Sequence, residues 1–385
     1  MYYLIASCHF GLESVLKQEI TKLGYEIVLV EDGRITFCGG PEAIARANIW
    51  LRTAERILLQ IGKFHAETFD ELFDGMKTLP WEEFIPVDGK VWVAKAASVK
   101  SKLFSPVDIQ SISKKAIVER LKETYHQEVL SESGESFPLR LFIRKDEVVV
   151  GLDTTGTGLH KRGYRLLSAK APISETLASA LIQLTPWNES RILVDPFCGS
   201  GTFVIEAALM ACNIAPGMNR EFLSQVWPHI ANRRVWYEAF DEARSSVNMD
   251  KELMIQGYDI DENVIRAARD NAKAAGVEDL IHLQRRAVKD LSHPKKYGFI
   301  ITNPPYGERI DDEQNIRPLY EELGEQLRTL DSWSAFVITS FEGIEEAMGR
   351  KATRNRKIYN GMIKTYFYQF LGDKPPKRQA KDSIV

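Results

Sequence analysis

Five apolar runs, at residues 191–195, 254–259, 281–285, 299–303 and 335–340, alternate with stretches of helical periodicity. That alternation predicts parallel strands, since a parallel pair needs a long crossover and not a tight turn. The pattern changes once, at the end. Residues 357–370 read as two strands joined at Asn360-Gly361, and Asn-Gly signals a hairpin because both residues tolerate positive φ. The expectation is an α/β, Rossmann-like domain whose seven-stranded, mostly parallel sheet closes on an antiparallel hairpin.

The front of the chain has a different order. Residues 2–7, 25–30 and 34–38 read as strands, and a helix with Leu12, Val15, Leu16, Ile20 and Leu23 on one face comes after the first of them. Pro41 opens a second helix, since proline lacks only an amide that a first turn leaves unused. This β-α-β-β-α order predicts a small α+β, ferredoxin-like module to about residue 53. A helical connector at 67–84 and strands at 91–97, 139–144 and 148–153 come next, and the Thr/Gly stretch 154–158 marks a domain boundary.

Charge is informative in one place. Residues 90–122 hold eight lysines and arginines against Asp108 and Glu119, in a chain whose net charge is −3. Such a cluster reads either as a solvated helix face or as a phosphate-binding surface. Lys100 and Lys102 lie on a loop before a helix, with Lys114 and Lys115 inside it, and Lys161 and Arg162 form a basic hinge further on. Four cysteines without paired spacing point to a reducing, cytoplasmic setting, and no His/Cys/carboxylate cluster suggests a metal. The N-terminus lacks the basic region of a signal peptide, and no apolar run is long enough for a membrane span.

Two loops carry chemistry. Asp195-Pro196-Phe197-Cys198-Gly199-Ser200-Gly201-Thr202 comes after a strand and opens a helix. Its glycines let backbone approach a ligand, and its strand-ending carboxylate suits an ammonium group. It has neither the third glycine of a dinucleotide loop nor the lysine of a phosphate loop. Asp259 closes the next strand, where an acid can accept ribose hydroxyls, and Ile260 can pack on adenine. A ribonucleoside joined to an amino acid, without phosphate, is S-adenosylmethionine. The 64 positions between Asp195 and Asp259 contain an insertion at 214–250, expected to cover the target pocket, with Trp227, Trp236 and Tyr237 as core. Cys198 reads as a small turn residue and not a nucleophile, since no base accompanies it.

The second loop is Asn303-Pro304-Pro305-Tyr306. Two prolines forbid helix and strand pairing, leaving a rigid turn at a strand's carboxyl end. The Asn303 side chain and the Pro304 carbonyl offer two acceptors beside the Tyr306 ring. That set suits a planar exocyclic amine.

These two loops, together with Gly257-Tyr258-Asp259-Ile260-Asp261, residues 271–276, Asn303 to Arg309, and the junction segments 158–165 and 171–175, resemble the THUMP-containing class I RNA methyltransferases. Nearest in pattern are the guanine-N2 methyltransferases of bacterial 23S ribosomal RNA, with transfer-RNA guanine-N2 enzymes as cousins. The resemblance spans essentially the whole chain. It implies a ferredoxin-like domain at 1–53, a THUMP RNA-binding domain at 54–155, a linker at 156–170, a methyltransferase domain at 171–372 and a flexible tail at 373–385. It implies S-adenosylmethionine as cofactor, held by Asp195, Pro196, Gly199, Gly201, Thr202, Asp259, Ile260, Ala287 and Asn303. Asn303, Pro304 and Tyr306 would be catalytic, and Lys100, Lys102, Lys114, Lys115, Lys161 and Arg162 would bind RNA. Some ribosomal relatives carry a second methyltransferase domain; with the sequence ending at Val385, that second activity is not expected. The sequence departs from the family at Arg286, where an acid usually meets the adenine amine, leaving Asp290 or the Ala287 amide for that contact. The rival reading of another class is a non-catalytic, RNA-binding ribosome-assembly factor.

Overall fold

The computed structural model describes residues 1–166, 173–306 and 313–376. In chain order the first half runs β1 (Tyr2–Cys8), α1 (Glu13–Lys22), β2 (Glu26–Glu31), β3 (Arg34–Gly39), α2 (Pro41–Trp50), β4 (Ala54–His65), α3 (Phe69–Thr78), β5 (Lys90–Val99), α4 (Pro106–Tyr125), β6 (Ser136–Arg144) and β7 (Glu147–Asp153). Next come α5 (Glu175–Gln183), β8 (Leu193–Asp195), α6 (Thr202–Ala211), α7 (Arg233–Ser245), β9 (Ile255–Asp259), α8 (Glu262–Ala274) and β10 (Ile281–Arg285). The chain then continues through β11 (Phe299–Thr302), α9 (Glu313–Thr329), β12 (Ser334–Thr339), α10 (Ile344–Ala347), β13 (Arg354–Asn360) and β14 (Ile363–Phe370). These elements form two compact units, residues 1–160 with 215–246, and residues 161–214 with 247–385.

The first unit is built on one seven-stranded sheet in the order β2-β3-β1-β4-β7-β6-β5. Its middle strand, β4, pairs antiparallel with β1 on one side and β7 on the other. Sequence periodicity leaves β4 unassigned for a physical reason. Ile57 and Leu59 enter the main core, while Leu58 is buried with Ile5 and Val149 on the opposite face. A strand buried on both faces does not alternate, and a register shift between Gln60 and Gly62 breaks the period again.

The insertion completes this same unit. The Trp227 ring is fully buried and stacks on Phe137 of β6 at 4.8 Å, and Trp236 stacks on Phe222 at 5.5 Å. Arg46 of α2 makes a two-pronged ion pair with Glu242 of α7, at 2.7 and 2.8 Å. The segment expected to cover the target pocket packs into the core of the first unit. Tyr237, expected in that core, is 67% exposed.

The second unit has the order β10-β9-β8-β11-β12-β14-β13. The first five strands are parallel and β14 is antiparallel to both neighbours. From β8 the chain builds outward through β9 and β10, then returns to place β11 on the other side. That reversal is the switch point at which open α/β sheets bind ligands beyond their strand tips. In the closing hairpin, Asn360 stays in the strand opposite Ile363, and Gly361 takes the left-handed conformation with φ 61°. Among the described residues no helix is long and apolar enough to cross a membrane, and no cluster of His, Cys, Asp and Glu could hold a metal.

Candidate active site

The Asp195 loop leaves β8 and enters α6 through a turn fixed from both ends. Cys198 N–H donates to the Tyr258 carbonyl at 2.8 Å, and Gly201 N–H donates to the Cys198 carbonyl at 2.8 Å. Gly199 and Gly201 have φ of 53° and 87°, which a side chain would strain. Open space lies where a Cβ on Gly199 would sit. The Gly199 amide donates to Asp259 Oδ2 at 3.2 Å, so the β8 and β9 tips are stitched together by the residues expected to hold the cofactor.

Asp195 is 1% exposed. Its Oδ1 accepts from Phe197 N–H at 3.1 Å and from the Thr302 hydroxyl at 2.5 Å. Burial pushes its carboxyl up to about 7, the Thr302 and Phe197 hydrogen bonds pull it back, and the nearby Asp259 adds to the rise. A buried anion without a cation favours protonation, and an incoming ammonium reverses that preference. Asp259 Oδ1 accepts from Asp261 N–H at 3.0 Å, leaving lone pairs on both oxygens for hydroxyl donors. Ile260 beside it is 67% exposed, an apolar surface for an aromatic base. Pro196 and Thr202 are buried in the loop and at the start of α6. Ala287, extended at φ −77°, begins a single helical turn after β10. Arg286 folds away from the acid's expected role: its guanidinium lies 5.2 Å from the Tyr258 ring centroid and donates to Ser292 Oγ at 3.0 Å. Burial pushes the Cys198 thiol well above its ordinary range, which fits the turn role and not a nucleophile.

The Asn303 turn leaves β11 directly beside β8, with Ile300 opposite Val194. The Thr302–Asp195 hydrogen bond therefore joins the two loops at their roots. The Tyr306 hydroxyl donates to Asn303 Oδ1, and Asn360 Nδ2 donates to the Tyr306 oxygen at 3.2 Å. The Tyr320 hydroxyl, 2.6 Å from Thr339 Oγ1, donates to the Pro305 carbonyl at 3.0 Å. Among the described residues nothing donates to the Pro304 carbonyl. Residues 307–309 of the motif lie outside the described residues.

Two residues that sequence reasoning gave no role support the cofactor loop. Arg165 Nη2 donates to Thr202 Oγ1 at 2.9 Å and to the Ile173 carbonyl at 2.8 Å. Asn271 Oδ1 accepts from Leu166 N–H at 2.9 Å while its Nδ2 donates to the Ser200 carbonyl at 3.1 Å. A signal for Asn271 exists: it sits among Ile265, Ala268 and Ala272 on the buried face of α8, where a polar side chain requires partners.

The expected RNA-binding cations divide. Arg162 is a correction. It is buried, with Nε 3.4 Å from the fully buried Glu206, and so is not a surface contact. Lys161 lies at the start of the second unit, whereas Lys100, Lys102, Lys114 and Lys115 belong to the first. Lys102 pairs with Glu67, Lys114 with Glu132 at 3.1 Å, and Lys115 with Glu119 at 3.9 Å. Arg120 is likewise paired, with Glu82. The local positive excess is thus partly offset by acids from other elements. Lys100 makes no ion pair among the described residues.

The fold and this paired-loop site define a class I methyltransferase that uses S-adenosylmethionine. A family model described as UPF0020, RMKL-like methyltransferase domain, matches residues 162–369, more than half of the chain. An RlmL ferredoxin-like domain model matches residues 3–58 and a THUMP domain model residues 66–153. The chain belongs to the RMKL-like family of THUMP-bearing RNA methyltransferases, and S-adenosylmethionine is its cofactor. It is 46% identical over 99% of both chains to the putative RNA methyltransferase YpsC of Bacillus subtilis. It is 33% identical to the ribosomal RNA large subunit methyltransferase K/L of Syntrophotalea carbinolica, covering 94% of this chain and 52% of that one. The chain spans about half the length of such K/L relatives. Among solved structures it is similar to a possible methylase from Clostridium difficile 630, at TM-score 0.95 and 49% identity over 98% and 99% of the two chains. It is also similar to SMU.472, a putative methyltransferase complexed with SAH, at TM-score 0.91 and 42% identity over 97% and 99%.

Proposed function

We propose that this protein transfers a methyl group to the exocyclic N2 of a guanine in large-subunit ribosomal RNA. The observation that carries the reading is the Thr302–Asp195 hydrogen bond of 2.5 Å, which sets the cofactor loop and the Asn303 turn side by side. Bound S-adenosylmethionine supplies an electrophilic methyl on sulfonium. Asn303 Oδ1 and the Pro304 carbonyl accept the two hydrogens of the target amine and direct its lone pair toward that methyl. Holding two reactants in attack geometry is the dominant contribution. The same oxygens stabilise positive charge as it grows on nitrogen, and the alkylated amine then releases its proton to water. Tyr306 supplies a face for a base taken out of its stack. The K/L relatives, named as large-subunit ribosomal RNA methyltransferases, support ribosomal RNA over transfer RNA. A Listeria monocytogenes structure at 47% identity is titled a predicted N6-adenine-specific DNA methylase, and adenine presents a similar planar amine.

The test uses S-adenosylmethionine tritiated on the methyl, with ribosomal RNA from cells lacking the enzyme. The label is expected to be sensitive to RNase and to elute as N2-methylguanosine after digestion. Asn303→Ala should cut the rate about 100-fold while S-adenosylhomocysteine still raises the melting temperature. Label lost to DNase, or an Asn303→Ala rate equal to wild type, would refute the assignment.

A further inference from the structure

By sequence, Asn360 has a sufficient role as the first half of an Asn-Gly turn. The structure removes that role. Asn360 remains in β13 opposite Ile363, and Gly361 carries the left-handed φ of 61°. Asn360 is not among the residues with positive φ. What its side chain does is donate to the Tyr306 oxygen at 3.2 Å, and Tyr306 donates to Asn303 Oδ1.

The order of donors matters. A phenol has one proton, and an amide NH2 can only donate. With Asn360 filling a lone pair of the Tyr306 oxygen, the phenol proton is directed at Asn303 Oδ1. That contact in turn keeps the Asn303 oxygen, and not its NH2, on this side of the amide. We propose that Asn360 is a positioning residue for methyl transfer, acting through the Tyr306 hydroxyl to hold Asn303 with its acceptor oxygen presented to the target amine. The inference rests on the amine-transfer reading above. Burial pushes the Tyr306 phenol up to about 12, with the Asn360 hydrogen bond pulling the other way, so the hydroxyl keeps its proton at neutral pH. The turn's backbone is held separately, by the Tyr320 hydroxyl on the Pro305 carbonyl at 3.0 Å. Loss of the Asn360 amide should therefore alter side-chain direction without releasing the turn.

The decisive substitution is Asn360→Asp, which keeps size and turn compatibility but replaces the donor with an acceptor. The phenol proton would then be drawn toward position 360 and away from Asn303. Asn360→Asp and Asn360→Ala are each expected to lower kcat on undermethylated ribosomal RNA about 10-fold. KM and the melting shift with S-adenosylhomocysteine should be unchanged. On a Tyr306→Phe background either change should add no further loss, because the intermediary is gone. A purely structural Asn360 predicts that Asn360→Asp works like wild type, or that losses multiply with Tyr306→Phe; either result overturns the proposal. A second readout needs no RNA. In protein labelled at tyrosine Cζ, the Tyr306 resonance, identified by its loss in Tyr306→Phe, should move in Asn360→Ala. An unmoved resonance overturns the proposal whatever the activity. A moved resonance in a protein that transfers no methyl to RNA would refute the substrate reading alone and support the Asn360–Tyr306–Asn303 chain.

Discussion

The Gly199 amide donates to the Asp259 carboxylate at 3.2 Å, so one acidic side chain at the tip of β9 ties down the glycine loop that leaves β8. Asp259→Asn removes the charge from this contact while keeping similar volume. Hydrogen bonds to charged groups contribute about 1.5–3 kcal/mol, so affinity for S-adenosylhomocysteine should fall about 10- to 100-fold by calorimetry. Unaltered affinity would show that Asp259 serves the loop only.

Asp195 should make cofactor binding depend on pH. Its native carboxyl, raised from 3.8 to about 7, holds a proton that the unfolded chain has already released. Between these values this residue's contribution to stability therefore declines as pH rises. On the proposal that Asp195 receives the cofactor's ammonium end, which favours the anion, affinity should climb across the same window with proton release on binding. Calorimetry from pH about 5.5 to about 8 in buffers of different ionisation heat would measure both. Asp195→Asn should bind more weakly and flatten the profile.

Trp227 tests where the insertion belongs. A fully buried indole stacked on Phe137 predicts that Trp227→Ala destabilises the first unit by about 3–5 kcal/mol in denaturant unfolding. A loss near zero would show that the indole adds nothing to this core.

Gly257 sits where a strand meets the cofactor turn. An added Cβ there would lie 2.8 Å from Leu283 Cδ2 and 3.2 Å from Cys198 Sγ. Gly257→Ala should cost about 1–3 kcal/mol by overpacking and weaken cofactor binding by shifting the Cys198 turn. A variant with wild-type melting and affinity would refute this.

The two chemical loops are legible in sequence because each is a local event: a strand ends, and glycine or proline sets the shape of the turn after it. The strand at 281–285 matches its sequence bounds residue for residue, since one face is buried and the period is clean. Other features are not legible, each for want of a distant partner. The strand β4 is apolar on both faces and bulged, so no period marks it. The charge excess at 90–122 looks unopposed in sequence because Glu67, Glu82 and Glu132 lie elsewhere in the chain. Arg162 reads as a basic hinge because Glu206 lies 44 positions further on. Sequence alone gives Asn360 to a turn it does not need, and its partner Tyr306 lies 54 positions earlier.

Since α7 and Trp227 are structural members of a unit that otherwise ends at residue 160, synthesis imposes an order on assembly. A ribosome that has just finished β7 has made a sheet still lacking the indole that packs on Phe137. It must extrude α5, β8 and α6, which belong to the other unit, before residues 215–246 arrive to finish the first. The N-terminal unit cannot mature until the first elements of the catalytic one have been made, and the nascent chain must keep an apolar face of β6 protected while the cofactor loop emerges.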